Sequence, residues 1–159
     1  EDFFYAIELG MCEKLSNVYN LRPGLHHWWN LAKAHPQSLQ ACRFMAKCLV
    51  GEEPLAWNTG RHVKPRSIQN QMCTVCNNGG FETMKHFLFE CPALCKNRQS
   101  FLDTLKRVCE ACDDIIQNHN CRTIIAADLY VGADYRSKLR DVGECIYKMF
   151  KERHQCLSS

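Results

Sequence analysis

No stretch of this sequence approaches the roughly 18 uncharged apolar residues that a membrane-spanning helix requires; runs such as Thr123-Ile124-Ile125-Ala126-Ala127 are far shorter. A membrane span is therefore not expected. There is no internal repeat and no low-complexity tract, which excludes solenoid, collagen-like and mucin-like chains. Prolines number 5 and glycines 8 among 159 residues, too few for an extended linker. Strand-type alternation of useful length is missing, so no sizeable sheet is expected. The signatures of catalysis are missing too. Ala126-Ala127-Asp128-Leu129 carries one aspartate where a polymerase needs a pair, and neither a glycine-rich phosphate loop, G-x-S-x-G nor H-E-x-x-H occurs. We expect a non-enzymatic chain. The first residues, Glu1-Asp2-Phe3-Phe4-Tyr5-Ala6-Ile7-Glu8, lack the basic and apolar regions of a secretory leader.

What is abundant is cysteine, 12 in 159 residues, several times the usual intracellular level and close to that of a small secreted scaffold. Either metal or disulfides must account for it. Hydrophobic residues at 46% and charged residues at 23% are ordinary for one globular domain, and a chain of this size can fold without disulfide staples. Net charge is only +3. Its distribution is uneven, with 5 basic and 4 acidic groups in residues 1–50, 9 and 9 in 101–159, and 6 against 4 in 51–100. From Asn58 to Met72 there are Arg61, Lys64 and Arg66 and no acid.

Apolar periodicity predicts an all-helical frame. Phe3, Ile7, Met11, Leu15 and Val18 mark a first amphipathic helix closed by Arg22-Pro23-Gly24. Residues 26–35 read as a short tryptophan-rich helix and 36–50 as a third, with Leu39, Cys42, Met45 and Leu49 on one face and Gly51 as its stop. Residues 51–72 read as a connector. Leu94 to Asn118 reads as one long helix carrying Leu94, Arg98, Phe101, Leu102, Leu105, Val108, Cys109, Cys112 and Ile116. A short helix is expected in 122–130. A last one follows Asp134 as N-cap and carries Tyr135, Leu139, Val142, Ile146, Met149 and Phe150. The expected fold class is mainly α, one domain with helices and a basic connector in 1–72, a small zinc-knuckle-like insert in 73–92, and C-terminal helices in 93–159 that pack on the N-terminal ones.

The insert is Cys73-Thr74-Val75-Cys76-Asn77-Asn78-Gly79-Gly80-Phe81-Glu82-Thr83-Met84-Lys85-His86-Phe87-Leu88-Phe89-Glu90-Cys91-Pro92, of the form C-x2-C-x9-H-x4-C. A two-residue gap lets both sulfurs of a tight turn face one tetrahedral zinc ion. Asn77-Asn78-Gly79-Gly80 tolerates positive φ and can reverse the chain. Glu82 and Thr83 can open a short helix bearing His86. On an unbroken α-helix His86 and Cys91 would stand about 140° apart, so the helix must end near Glu90, and Pro92 enforces that break. Cys73, Cys76, His86 and Cys91 are the expected ligands of one structural Zn(II), with Cys95 as a competing fourth ligand. Four protein donors would leave no open position for a catalytic water. The site would carry about one net negative charge, which Lys85, Lys96 and Arg98 are placed to offset.

This segment resembles the C-terminal zinc-binding CCHC region that follows the polymerase of non-LTR, LINE-type retrotransposon reverse transcriptases. The resemblance lies in Cys73-x2-Cys76, Glu82-Thr83, His86-Phe87-Leu88-Phe89-Glu90-Cys91-Pro92, then Arg98 and Phe101-Leu102, with a lead-in from Ala41-Cys42-Arg43 to Trp57-Asn58-Thr59-Gly60-Arg61-His62. It covers residues 30–105. What it implies is contact with RNA or DNA in support of reverse transcription. The spacer of nine before His86 is longer than in a retroviral nucleocapsid knuckle, so that fold's mode of reading bases is not implied.

Arg61, Lys64, Arg66, Lys85, Lys96 and Arg98 are the expected contacts to nucleic-acid phosphates. Two further constellations have plainer readings. Cys109, Cys112, His119 and Cys121 could be written as a second metal site, but the first two at i and i+3 on an apolar face read as buried thiols. His26-His27-Trp28-Trp29 could stack on bases, yet tryptophans at a helical seam are more often core. The expected setting is intracellular, nuclear or cytoplasmic, with RNA or DNA as partner and no membrane. The alternatives are a zinc-stabilised domain that binds a protein partner, or a secreted disulfide-rich protein.

Overall fold

A computed structural model describes residues 27–65, 67–76, 78–109, 112–127 and 132–158. The expected helix from Phe3 to Val18 and residue Arg66 lie outside the described residues. The fold is mainly helical: α1 His27–Ala34, α2 Leu39–Leu49, α3 Ala56–Thr59, α4 Cys95–Val108, α5 Cys112–Gln117, α6 Cys121–Ala126 and α7 Tyr135–Ser158. Among the described residues the extended pairing is one antiparallel bridge, Met72 to Phe81, which closes the cysteine hairpin.

The helices form where the apolar periodicity puts them. α2 buries Ala41, Cys42, Phe44, Met45, Ala46, Cys48 and Leu49, and it ends as Gly51 adopts φ 71°, a left-handed conformation that costs glycine little. α7 buries Leu139, Val142, Ile146 and Met149 at steps of three and four, so one face of a long helix is sealed against α4, α2 and α1. Its start follows Asp134, whose carbonyl accepts from the Ser137 and Lys138 amides and whose carboxylate stands 3.2 Å from Lys138 Nζ. Trp28 is 1% exposed and donates its indole N–H to the Ile125 carbonyl at 2.7 Å. That ties α1 to α6 and makes Trp28 a core residue. Gly143 lets α7 approach this ring closely: a Cβ there would lie 2.8 Å from the Trp28 ring.

Two expectations are corrected. The helix from Leu94 to Asn118 is not continuous. α4 stops at Val108, Cys109 is extended (φ −131°, ψ 120°), and α5 starts at Cys112. The cause is electrostatic as well as steric. Lys106 and Arg107 favour a helix C-terminus, Asp113 and Asp114 a helix N-terminus, and Val and Cys at the junction are weak helix formers. Bending there lets the apolar stripe continue into the core through Cys109, Cys112 and Ile115, all buried. The connector 51–72 also has structure. Short 3₁₀ turns at Gly60–His62 and Ile68–Gln71 flank a close approach of Gly60 to the Asn70 carbonyl, where a Cβ would sit 1.9 Å away.

Candidate metal centre

The hairpin brings its first two sulfurs together through local hydrogen bonding. Cys73 N–H donates to the Gly80 carbonyl at 2.8 Å and Glu82 N–H to the Gln71 carbonyl at 3.0 Å, while Gly79 takes φ 70° in the return. The second pair comes from a wider helical turn than an α-helix. Residues His86–Glu90 form a π turn, and the Cys91 amide donates to the His86 carbonyl at 2.7 Å, an i to i+5 bond. That bond carries Cys91 back over His86, removing the angular offset an α-helix would impose. Pro92 then opens a 3₁₀ turn and α4 begins.

The outcome is a cluster in which one donor atom each of Cys73, Cys76, His86 and Cys91 lie within 4.8 Å of one another. Cys73 Sγ and Cys91 Sγ are 3.9 Å apart, and Cys76 Sγ is 3.4 Å from His86 Nε2. Cys73, His86 and Cys91 are buried and Cys76 is half-buried. Three thiols and an imidazole so arranged could hold a metal ion. Cys95, the alternative donor, is exposed at the start of α4.

Burial dominates the ionisation of these groups. It pushes the Cys91 thiol up to about 12, with the charges of Cys73 and Cys76 adding to the rise. Cys73 is also raised by burial, against the pull of the Cys76 and Val75 backbone amides aimed at its sulfur. Burial lowers His86, with Glu90 and Glu82 opposing. Without a cation Cys73 and Cys91 therefore favour the neutral thiol and His86 the neutral imidazole, and bringing thiolates together there needs positive charge.

Residues around the cluster, of which Arg153 was not singled out in the sequence, hold it in place. Glu82 is 1% exposed and Arg153, from α7, is 5% exposed. They form a two-point ion pair across the fold. The same carboxylate accepts the Ala56 amide at 2.6 Å and stands 3.9 Å from Cys73 Sγ. Glu90 places Oε2 3.9 Å from His86 Nδ1 and Oε1 2.8 Å from Lys85 Nζ, on the side of the ring turned away from the cysteines. At 3.9 Å the approach of Glu90 to the imidazole is an electrostatic contact rather than a hydrogen bond. His119 stacks on Phe89 with centroids 5.0 Å apart and faces Glu90 at 3.6 Å.

Arg98 is corrected from the list of phosphate contacts. It is 9% exposed; its Nε donates to the Leu88 carbonyl at 2.9 Å and an Nη to the Cys91 carbonyl. It caps the π turn from inside. The signal was available, since Arg98 falls on the apolar stripe of Leu94, Phe101 and Leu105, just as Arg153 continues the stripe of Ile146 and Met149. A charge on a buried stripe must have a buried partner. Lys64 and Lys96 are exposed, and Lys85 is exposed but paired with Glu90. Arg61's side chain and Arg66 lie outside the described residues.

Among the described residues no second metal-type cluster forms. Cys109 and Cys112 lie in the hydrophobic core, and Cys121 packs against it. The cysteines whose side chains are described are all free thiols. Among the described residues no helix is long and apolar enough to cross a membrane. Comparison with protein-family models, with curated proteins and with solved structures gives no match.

Proposed function

We propose that this chain is a non-catalytic helical domain built around one structural Zn(II) held by Cys73, Cys76, His86 and Cys91, and that it binds the phosphate backbone of RNA or DNA. The observation that carries the metal reading is the four-donor cluster itself. Zinc bonds of about 2.3 Å to sulfur and about 2.0–2.1 Å to nitrogen imply tetrahedral edges of about 3.8 Å between sulfurs and about 3.6 Å between sulfur and nitrogen. The separations of 3.9 Å and 3.4 Å fit both. A thiolate-rich set with one imidazole suits zinc over magnesium or calcium, which prefer oxygen. Four protein donors close the coordination shell, which supports a structural rather than a hydrolytic role.

The nucleic-acid reading rests on two supports: the likeness of residues 30–105 to the post-polymerase tail of LINE-type reverse transcriptases, and the acid-free run with Arg61, Lys64 and Arg66 beside the cluster. Lys96 is a further exposed cation, whereas Arg98 is buried. A gel shift at low salt tests it. Wild type should bind an oligonucleotide with an affinity that falls steeply as salt rises, and the Arg61→Ala, Lys64→Ala, Arg66→Ala triple variant should bind far more weakly. If the triple variant matches wild type, the basic edge is not the contact.

A further inference from the structure

The exposed large apolar side chains among the described residues are Val63 at 48%, Ile68 at 67% and Phe81 at 43%. All three fall in one segment, which is also free of acidic residues. From Pro54 to Phe81 there is no Asp or Glu; Glu53 precedes it, and Glu82, which follows, is buried against Arg153. The segment is one packed lobe. α3 and the two 3₁₀ turns touch one another, Phe81 pairs with Met72 at the end of the second turn, and the Phe81 ring meets Trp57 edge-on at 5.1 Å. Exposed Lys64 and His62 lie beside Val63, with exposed amides and hydroxyls at Gln69, Thr74 and Asn78.

We infer that this lobe binds single-stranded nucleic acid, with an unpaired base on Phe81 and the apolar sides of Ile68 and Val63, and with a backbone phosphate on Lys64. The inference rests on the nucleic-acid reading above and narrows it. A duplex keeps its base faces stacked and offers phosphates and groove edges, which would leave the apolar groups without a π face. A single strand offers both a charged backbone and π faces, and aromatic platforms in a cationic groove are the general means of holding it. The absence of acids suits a polyanion. The amides and hydroxyls add hydrogen-bond partners for base edges.

The test is fluorescence anisotropy on the full chain with its metal, using a labelled single-stranded oligonucleotide and the corresponding duplex at two salt concentrations. Wild type should prefer the single strand. Phe81→Ala should weaken single-strand binding about ten-fold, leave duplex binding and the salt slope unchanged, and keep one metal per chain; Phe81→Tyr should restore affinity. Lys64→Ala should weaken both and reduce the salt slope by about one. If Phe81→Ala loses its metal, Ile68→Ala and Phe81→Tyr carry the comparison: loss in the first with retention in the second supports the platform. Equal affinity for single strand and duplex, no response to Phe81→Ala or Ile68→Ala, or displacement by poly-glutamate at equal charge would overturn it while leaving phosphate binding intact. No binding to either oligonucleotide would overturn both readings.

Discussion

The metal module and the helical bundle are both rich in cysteine and use it in opposite ways. In the module, Cys73, Cys76 and Cys91 meet His86 within 4.8 Å, held by a hairpin, a π turn and a buried ion pair, with Phe87 and Leu88 seating the π turn in the core. In the bundle, Cys42, Cys48, Cys109 and Cys112 are buried among Leu, Ile, Phe and Met side chains and act as small apolar residues. Burial raises both kinds of thiol: Cys42 to about 11, with Glu144 contributing, and Cys91 to about 12. In the bundle the protonated form is the end state, whereas in the module it is what a metal ion must displace. Residue type alone does not separate the two roles. What separates them is whether sulfurs converge.

The comparison breaks most sharply when the metal is stripped. Chelation should remove on the order of 10 kcal/mol of binding free energy from the module. Hydrogen exchange should then show amides from Cys73 to Cys91 losing protection before those of α2 and α7. Next in size is the strut between the two regions. Arg153→Met leaves Glu82 charged and buried, and should cost about 3–5 kcal/mol in denaturant unfolding, with a weaker metal affinity because Glu82 sits against Cys73. Pairing it with Glu82→Gln should recover part of the loss. Gly143→Val confines the damage to the bundle, costing about 1–3 kcal/mol by crowding Trp28, with metal content unchanged.

Acidity gives opposite slopes in the two regions. Cys73 and Cys91, raised by burial, hold their protons at neutral pH, so metal binding would release them. Affinity measured by chelator competition should rise with pH, and the metal should be lost as pH falls. For Cys42, whose ordinary value is 9.0 and whose folded value is about 11, the unfolded chain ionises first. Its contribution to stability is complete below about 9 and is lost as pH rises from about 9 to about 11. The smallest effect is expected for Cys112→Ala, about 1 kcal/mol and no change in metal stoichiometry.

Much of the bundle was legible because apolar spacing and burial are the same information: Leu139, Val142, Ile146 and Met149 are a buried face in both. The four donors were legible from their gaps, with Gly79 as the reversal and Pro92 as the stop. The π turn was not, because an α-helical wheel puts His86 and Cys91 apart and nothing in the residues between them announces the wider turn. The break at Cys109 lay hidden beneath an unbroken apolar stripe, although the switch from Lys106-Arg107 to Asp113-Asp114 marked it. Glu82 and Arg153, far apart in sequence, become partners only once α7 is laid across the module. Arg98 shows the cost of reading charge without face: counted with the phosphate contacts, it belongs to the interior.

The most direct test of the central claim is metal content by native mass spectrometry under non-reducing conditions. Wild type should carry one zinc with its thiols free, Cys73→Ser with His86→Ala should carry none, and Cys109→Ala with Cys112→Ala should keep one. One zinc on the Cys73/His86 variant, or a wild-type chain without metal and with its cysteines paired as disulfides, would contradict it.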